Sequence, residues 1–239
     1  TPSAANLVAD LQSFKPTFLL AVPRVFEKVY NSASQKAPGG VKKKIFAFAT
    51  RAAISYSKAL ATPAGPSAVQ KAQLGLAHKL VLHKLVTAMG GQLKYAVSGG
   101  APLGERLGHF YRGMGVTVLE GYGMTETTAP TTVNLPGDIR IGTVGPSYPG
   151  TQIRTAADGE IQIAGPHVFR GYHNNPEASA EAFTEDGWIR SGDLGALDDA
   201  GYLTITGRRK EIIVTAGGKN VAPAVLEDRF RGHPLVSQV

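Results

Sequence analysis

The sequence predicts an α/β protein: a βαβ parallel sheet with flanking helices, then a β-rich subdomain, then the start of a small α+β domain. Three observations predict it. Leu93–Val97, Leu103–Met114 and Val116–Leu119 read as strand, helix and strand, a unit whose crossover is right-handed and whose strands are parallel. Asp158-Gly159 and Asp198-Asp199-Ala200-Gly201 each separate two short apolar runs, as hairpin turns do. Ahead of both, residues 1–90 carry helical apolar spacing punctuated by proline and glycine.

Taken in order, Asn6 to Phe14 has the spacing of a helix, and Lys15-Pro16 ends it because the residue before proline avoids the helical region. Thr17 to Val22 is a short apolar run expected to be a buried strand. Pro23 opens the next helix, which runs to about Ser34, since proline fits a first turn. Gln35 to Gly40 breaks the chain before a helix over Val41–Ala61, which Thr62-Pro63-Ala64-Gly65-Pro66 terminates. Ser67 is an N-cap for a third helix that Gly90-Gly91 closes. Beyond the βαβ unit, Gln152–Arg154 pairs with Glu160–Ala164 and Leu194–Leu197 with Tyr202–Thr206. Glu211–Thr215, Ala216-Gly217-Gly218-Lys219 and Val225–Phe230 read as a hairpin and an opening helix. The domains are therefore drawn at 1–130, 131–207 and 208–239.

Composition narrows the class. Hydrophobic content of 43% and 18% charged residues suit a globular protein. With no cysteine there is neither a disulfide framework nor a thiolate zinc site, which fits a reduced, intracellular setting. No apolar stretch is long enough to span a bilayer, and Thr1 opens no signal-peptide pattern. The net charge of +7 is unevenly spread. Residues 1–90 hold 12 Lys/Arg against 2 Asp/Glu, whereas residues 91–239 hold 13 against 16. A positive first part faces phosphates, anionic lipid or an acidic partner. Lys42-Lys43-Lys44 ahead of Ile45, Phe46 and Phe48 gives a basic amphipathic helix. Such a helix more often packs its apolar side on a core than lies on a membrane.

Four short motifs carry chemistry. Glu120-Gly121-Tyr122-Gly123-Met124-Thr125-Glu126 follows a β-branched run and reads as a loop at the carboxyl end of a strand, where open α/β sheets bind ligands. Its glycines let a flat ligand approach, the Tyr122 ring can meet a base, Thr125 can bond a phosphate oxygen, and Glu126 can hold Mg²⁺. Magnesium keeps most of its waters, so one carboxylate suffices. Ser98-Gly99-Gly100-Ala101-Pro102-Leu103 lies between strand and helix, where backbone amides can face an anion. The βαβ crossover brings these two glycine loops to one sheet edge. Ser191-Gly192-Asp193-Leu194-Gly195 offers a carboxylate to ribose hydroxyls, although a β-turn aspartate would look the same. Gly207-Arg208-Arg209-Lys210-Glu211 packs three cations at the last boundary, where an arginine can reach a ribose or phosphate and the next residues can hinge. Trp188, the only tryptophan, reads as core. His78 and His83 lie five apart, off the i, i+4 spacing of a shared helix face, and are not read as metal ligands. Ser98 lacks the Gly-x-Ser-x-Gly elbow of a hydrolytic triad.

In sequence, SGGAPL, EGYGMTE, GTVGPSYPG, GEIQIAGPHVFRGYHNNPEAS, DGWIRSGDLG and GRRKEIIVTAGGKNVAP resemble the adenylate-forming acyl-activating superfamily, most of all bacterial long-chain fatty-acid–CoA ligases. Lys15-Pro16 to Glu27 is similar to a further segment of that family, so the likeness covers essentially the whole chain. It implies an acyl-CoA-synthetase-like large domain followed by the start of a small one. It also implies a two-step reaction. A fatty acid carboxylate attacks the α-phosphate of ATP to give an acyl-adenylate and pyrophosphate; the coenzyme A thiol then attacks the acyl group, releasing AMP.

By the same likeness, Ser98, Gly99, Gly100 and Ala101 would line the adenine site with Gly121, and Tyr122 would stack on the base. Gly123 would help wall the acyl tunnel, Thr125 would hold the α-phosphate and Glu126 would bind Mg²⁺. Asp193 would grip the ribose with Arg208 beside it. Lys210 would be the hinge of the small domain, and Gly217, Gly218 and Lys219 would swing in for the coenzyme A step. The family's Ser/Thr/Gly-rich phosphate loop has no counterpart before Ser98, and its late adenylation lysine has none through Val239. The chain is therefore expected to be a portion of a longer ligase, with little or no activity alone. It is expected to be cytoplasmic, with peripheral contact at the inner membrane face through its basic helices and with no nucleic-acid partner. Two alternatives stand beside this: an acyl-adenylating domain that loads a carrier protein, and a non-catalytic basic module that binds membrane or nucleic acid.

Overall fold

The computed structural model describes residues 6–37, 39–214, 220–223, 226, 227 and 230. The chain forms two compact units: one from the residues up to Glu120 together with Pro136–Gly142, the other from Gly121–Leu135 together with Thr143 onward. The sequence reading drew its first boundary later, at Pro130, where turn residues and short strands begin. The described residues after Gly207 belong to the second unit.

In the first unit, α1 (Leu7–Phe14) ends on Lys15 in the left-handed conformation. Strand β1 (Phe18–Ala21) follows, then α2 (Pro23–Gln35) with Pro23 in its first turn, and α3 (Gly40–Ala59). Ser67 caps α4 (Ala68–Ala77) in a reciprocal box with Gln70, satisfying two amide donors that a helix start leaves open. The single expected third helix is interrupted by a π-helical turn, His78–Leu82, before α5 (His83–Ala88). In that turn the His83 amide donates to the His78 carbonyl, so a spacing of five is one turn apart here, contrary to the sequence reading. Strand β2 (Tyr95–Ser98), helix α6 (Glu105–Met114) and strand β3 (Thr117–Met124) complete the predicted βαβ unit.

Strands β1, β2 and β3 pair in parallel. Among the described residues β1 pairs only with β2, and Phe18 and Leu20, which share one face of it, are exposed, so β1 is not the buried strand the sequence suggested. The core of this unit gathers Phe26, Phe46, Phe110, Tyr111 and Met114 with the small residues Ala49, Ala52 and Ala53 of α3. Thus α3 uses its apolar face for packing, while Lys42, Lys43 and Lys44 remain in solvent. Tyr111 is fully buried and donates to the Phe26 carbonyl at 2.6 Å, which satisfies its hydroxyl in the core.

The second unit is built on an antiparallel sheet in the order β5 (Gln152–Thr155), β6 (Glu160–Ala164), β7 (Ile189–Leu197) and β8 (Leu203–Arg208). Both predicted hairpins are present. Ile161, Ile163, Ile189 and Leu203 form its core. The opposite face of β6 is polar yet buried, through Glu160 and Gln162. Trp188 is half-buried rather than core, and the Arg154 guanidinium lies 4.3 Å from its ring centroid. Strand β4 (Ala129–Val133) pairs antiparallel with the far half of β3, and α7 (Pro176–Ala182) begins on the Asn175 cap. A short ladder of β9 (Ile213–Val214) and β10 (Asn220–Val221) matches the expected last hairpin.

Candidate nucleotide site

The most informative motif is not a loop. Glu120 to Met124 continues β3, which pairs in parallel with β2 up to Glu120 and then antiparallel with β4 from Gly121. Gly123 is required there: a Cβ would fall 1.5 Å from the Ala129 carbonyl oxygen, where the β3–β4 register shifts. The strand thus holds Tyr122 on a paired backbone, and a short 3₁₀ turn, Thr125–Thr127, follows it.

Asp193 lies in a second strand irregularity. Glu160 pairs with Leu194 and Gln162 with Arg190, so residues 191–193 of β7 bulge opposite Ile161. Gly192 takes φ +72, a left-handed value that favours glycine. Bulges re-aim side chains beside functional sites. Here the bulge, not the β-turn weighed from sequence, brings Asp193 to Tyr122. The tyrosine hydroxyl donates to Asp193 Oδ2 at 2.7 Å across 71 positions of chain. Arg208, the register partner of Asp193 across β7 and β8, donates from Nε to Oδ1 at 3.1 Å. Ser191 Oγ accepts from the Asp193 amide at 3.0 Å. Burial, and the bond to Asp193, push the Tyr122 phenol above its usual range, so it remains a neutral donor.

Glu126 belongs to a separate contact in the same unit. Its Oε1 accepts from the Tyr172 hydroxyl at 2.9 Å, and its carbonyl accepts from the Phe169 amide at 2.8 Å. Thr128 donates to the His167 carbonyl, so the turn after β3 is tied to residues 167–172. Among the described residues no group of three or more His, Cys, Asp or Glu could enclose a metal ion. Glu126 nevertheless fits a magnesium ion that keeps its waters: the side chain is half-exposed and, among the described residues, one of its oxygens is engaged, by Tyr172. Thr125 beside it is exposed.

In the first unit, Ser98 is the register partner of Glu120, and the Glu120 carboxylate accepts from the Leu103 amide at 3.0 Å. The Ser98–Leu103 loop is thereby fixed to β3, with Gly100 at φ +83. Ser98 Oγ is buried without a hydrogen-bond partner among the described residues, an open valence at the end of β2. Lys210 is exposed in the 3₁₀ turn Arg209–Glu211. Gly217, Gly218 and Lys219 lie outside the described residues.

Sequence reasoning missed Tyr172, Ser191 and Glu160. Glu160 is the least expected of these: it is 3% exposed, lies 3.1 Å from Arg209 and 3.6 Å from Arg190, and accepts from the Gly192 amide at 3.2 Å. The available signal was a carboxylate opening an otherwise isoleucine-bearing strand, with Arg190 on the neighbouring strand β7 and Arg209 just after β8.

The parallel sheet and the antiparallel sheet are the fold of adenylation domains of acyl-CoA-synthetase-like enzymes. The chain belongs to the AMP-binding enzyme family, whose model matches residues 1–173. It is 54% identical to the long-chain-fatty-acid–CoA ligase FadD15 of Mycobacterium tuberculosis over all of this chain and 39% of that protein. It is 33% identical to the long-chain-fatty-acid–CoA ligase ACSBG1 of Homo sapiens, over 97% of this chain and 33% of that protein. Among solved structures, the adenylation domain of a carboxylate reductase from Mycobacterium chelonae matches with a TM-score of 0.72 at 25% identity, over all of this chain and 34% of that one. The chain thus spans about 39% of the length of FadD15.

Proposed function

We propose that this chain carries the nucleotide-handling part of a long-chain fatty-acid–CoA ligase, which joins a fatty acid to coenzyme A through an acyl-adenylate at the expense of ATP. The observation that carries this reading is the Tyr122–Asp193–Arg208 constellation. Among the described residues each carboxylate oxygen of Asp193 is engaged once, by Tyr122 or by Arg208. A carboxylate has about four acceptor positions, so two remain for the paired hydroxyls of a ribose. Tyr122 holds its ring beside that carboxylate, where the face can meet adenine. Gly121 would leave room for the base, and Gly123 would bound the acyl chain.

In the first half-reaction an anion must approach a polyanion, so orientation and fixed positive donors matter most. Thr125 would donate to the α-phosphate, and Arg208 would add charge beside the ribose. Glu126, oriented by Tyr172, would hold Mg²⁺, which when bound neutralises phosphate charge. Lys210 would act as a hinge, and Gly217, Gly218 and Lys219 would approach the coenzyme A thiol in the second half-reaction. The exposed Lys42, Lys43 and Lys44 support peripheral contact with an anionic membrane on the cytoplasmic side.

Calorimetric titration with AMP tests the reading. Asp193→Ala is expected to weaken AMP binding by about 1–3 kcal/mol, the range for charge-assisted hydrogen bonds, while binding of adenine changes little. Equal affinity of the unsubstituted chain for AMP and adenine would remove the role of Asp193. A polypeptide of the relatives' full length carrying this sequence should form palmitoyl-CoA from palmitate, ATP and coenzyme A. The 239-residue chain by itself should form little or none.

A further inference from the structure

We infer that Glu160 is the positioning residue of the nucleotide site, holding Asp193 and Arg208 in register by gripping the residue next to each. The inference rests on the nucleotide reading of Asp193 and extends it to a buried carboxylate that touches none of the proposed ligand-facing side chains.

Glu160 begins β6, and its side chain lies on the polar, buried face of that strand. Oε1 accepts from the Gly192 amide at 3.2 Å, immediately before Asp193 in the bulge. Oε2 meets Arg209 Nη1 at 3.1 Å, immediately after Arg208 at the end of β8. One carboxylate therefore fastens the two backbones that carry the Asp193–Arg208 pair. Arg190 Nη1 lies 3.6 Å from the same Oε2, and Arg209 Nη2 also meets Asp158 at 2.8 Å. A buried carboxylate is stable only with such charge partners, because its desolvation is costly. A neutral aliphatic residue could fill the space, but it could not hold the Gly192 amide in an irregular segment that the sheet ladder leaves unpaired. With that bond the left-handed Gly192 is fixed and the bulge has one geometry. Without it, Asp193 turns relative to Tyr122, and the two acceptor positions left for a ribose no longer converge.

The test is the preference of the chain for AMP over 2′,3′-dideoxy-AMP, each titrated calorimetrically into the unsubstituted chain and into Glu160→Gln. The unsubstituted chain should prefer AMP. Glu160→Gln has a single acceptor oxygen and cannot serve Gly192 and Arg209 at once. It should lose about tenfold in AMP affinity, about 1.4 kcal/mol, while its affinity for the dideoxy analogue stays within about twofold. A residue that only supported the fold would weaken both ligands alike. Full retention of the AMP preference in folded Glu160→Gln, with the unsubstituted chain discriminating normally, overturns the positioning role and leaves the nucleotide reading standing. No discrimination by the unsubstituted chain refutes the nucleotide reading, and the positioning role with it. Should Glu160→Gln fail to fold by circular dichroism, Arg209→Gln decides, since that guanidinium is half-exposed. A reduced AMP preference in Arg209→Gln supports the grip, and an unchanged one overturns it.

Discussion

A carboxylate that is 7% exposed, as at Asp193, must have its charge answered locally, and its two partners come from different stretches of chain. Arg208 reaches it as a ladder neighbour, and Tyr122 reaches it from another strand. Glu126 shows a second use of a phenol. The Tyr172 hydroxyl donates to Oε1 and restrains the half-exposed side chain. The same contact raises the Tyr172 phenol above its usual range, chiefly through its hydrogen bond to Glu126. Removing the hydroxyl should leave the fold intact and loosen the carboxylate. In a polypeptide of the relatives' full length, Tyr172→Phe is expected to raise the Mg²⁺ concentration for half-maximal rate by about tenfold, as loss of an outer hydrogen bond to a metal ligand does. The rate at saturating Mg²⁺ should change little. An unaltered Mg²⁺ requirement would detach Tyr172 from the metal role proposed for Glu126.

At the scale of elements, close packing explains features that periodicity alone cannot. Helices α3 and α6 approach until a Cβ at Gly113 would lie 2.0 Å from the Ala53 carbonyl oxygen. Gly113→Ala should therefore force the helices apart and cost about 1–3 kcal/mol, read as a lower urea midpoint. A stability equal to that of the unsubstituted chain would show that the pair has room to give. At the other extreme, the Ser67 cap is exposed and local, so Ser67→Ala should cost only about 1 kcal/mol. That cap was legible in the sequence, as were both hairpins and the βαβ unit, because each is set by residues within a turn of one another. The antiparallel half of β3 was not. Gly121, Tyr122 and Gly123 carry turn-like composition, and only their partner β4 makes them a strand. Likewise the site residues Tyr122, Asp193 and Arg208 could be named one by one from their motifs. Glu160 could not, because its role arises from a bulge in β7 that local sequence does not encode.

For the molecule as a whole, the first ninety residues impose a positive field, and the buried His109 and half-buried His78 of that unit are poor places for more charge. His109 of α6 is buried, with Nδ1 3.0 Å from Ser57 Oγ of α3. Burial first, then the charge of Lys58 and that of Arg112, hold its imidazole below the usual value, with Glu105 opposing. His78, in the π-helical turn, is lowered by burial and by His83, against a backbone bond involving Gly113. A group whose pKa is depressed on folding takes up protons more readily when unfolded, so protonation draws the chain toward the unfolded state. The stabilisation is fully present above the unfolded histidine value of about 6.5 and is lost progressively as pH falls from there through the depressed folded value. Urea unfolding followed between pH 8 and pH 5 should show a flat midpoint at the alkaline end and a decline that begins near neutrality. His109→Gln, which keeps a hydrogen-bonding group toward Ser57 but cannot titrate, should lose part of that decline. Its midpoint should fall less steeply on acidification than that of the unsubstituted chain. Parallel curves for the two would mean that His109 carries no differential charge on folding, and the acid sensitivity would then reside in His78 or in the carboxylates.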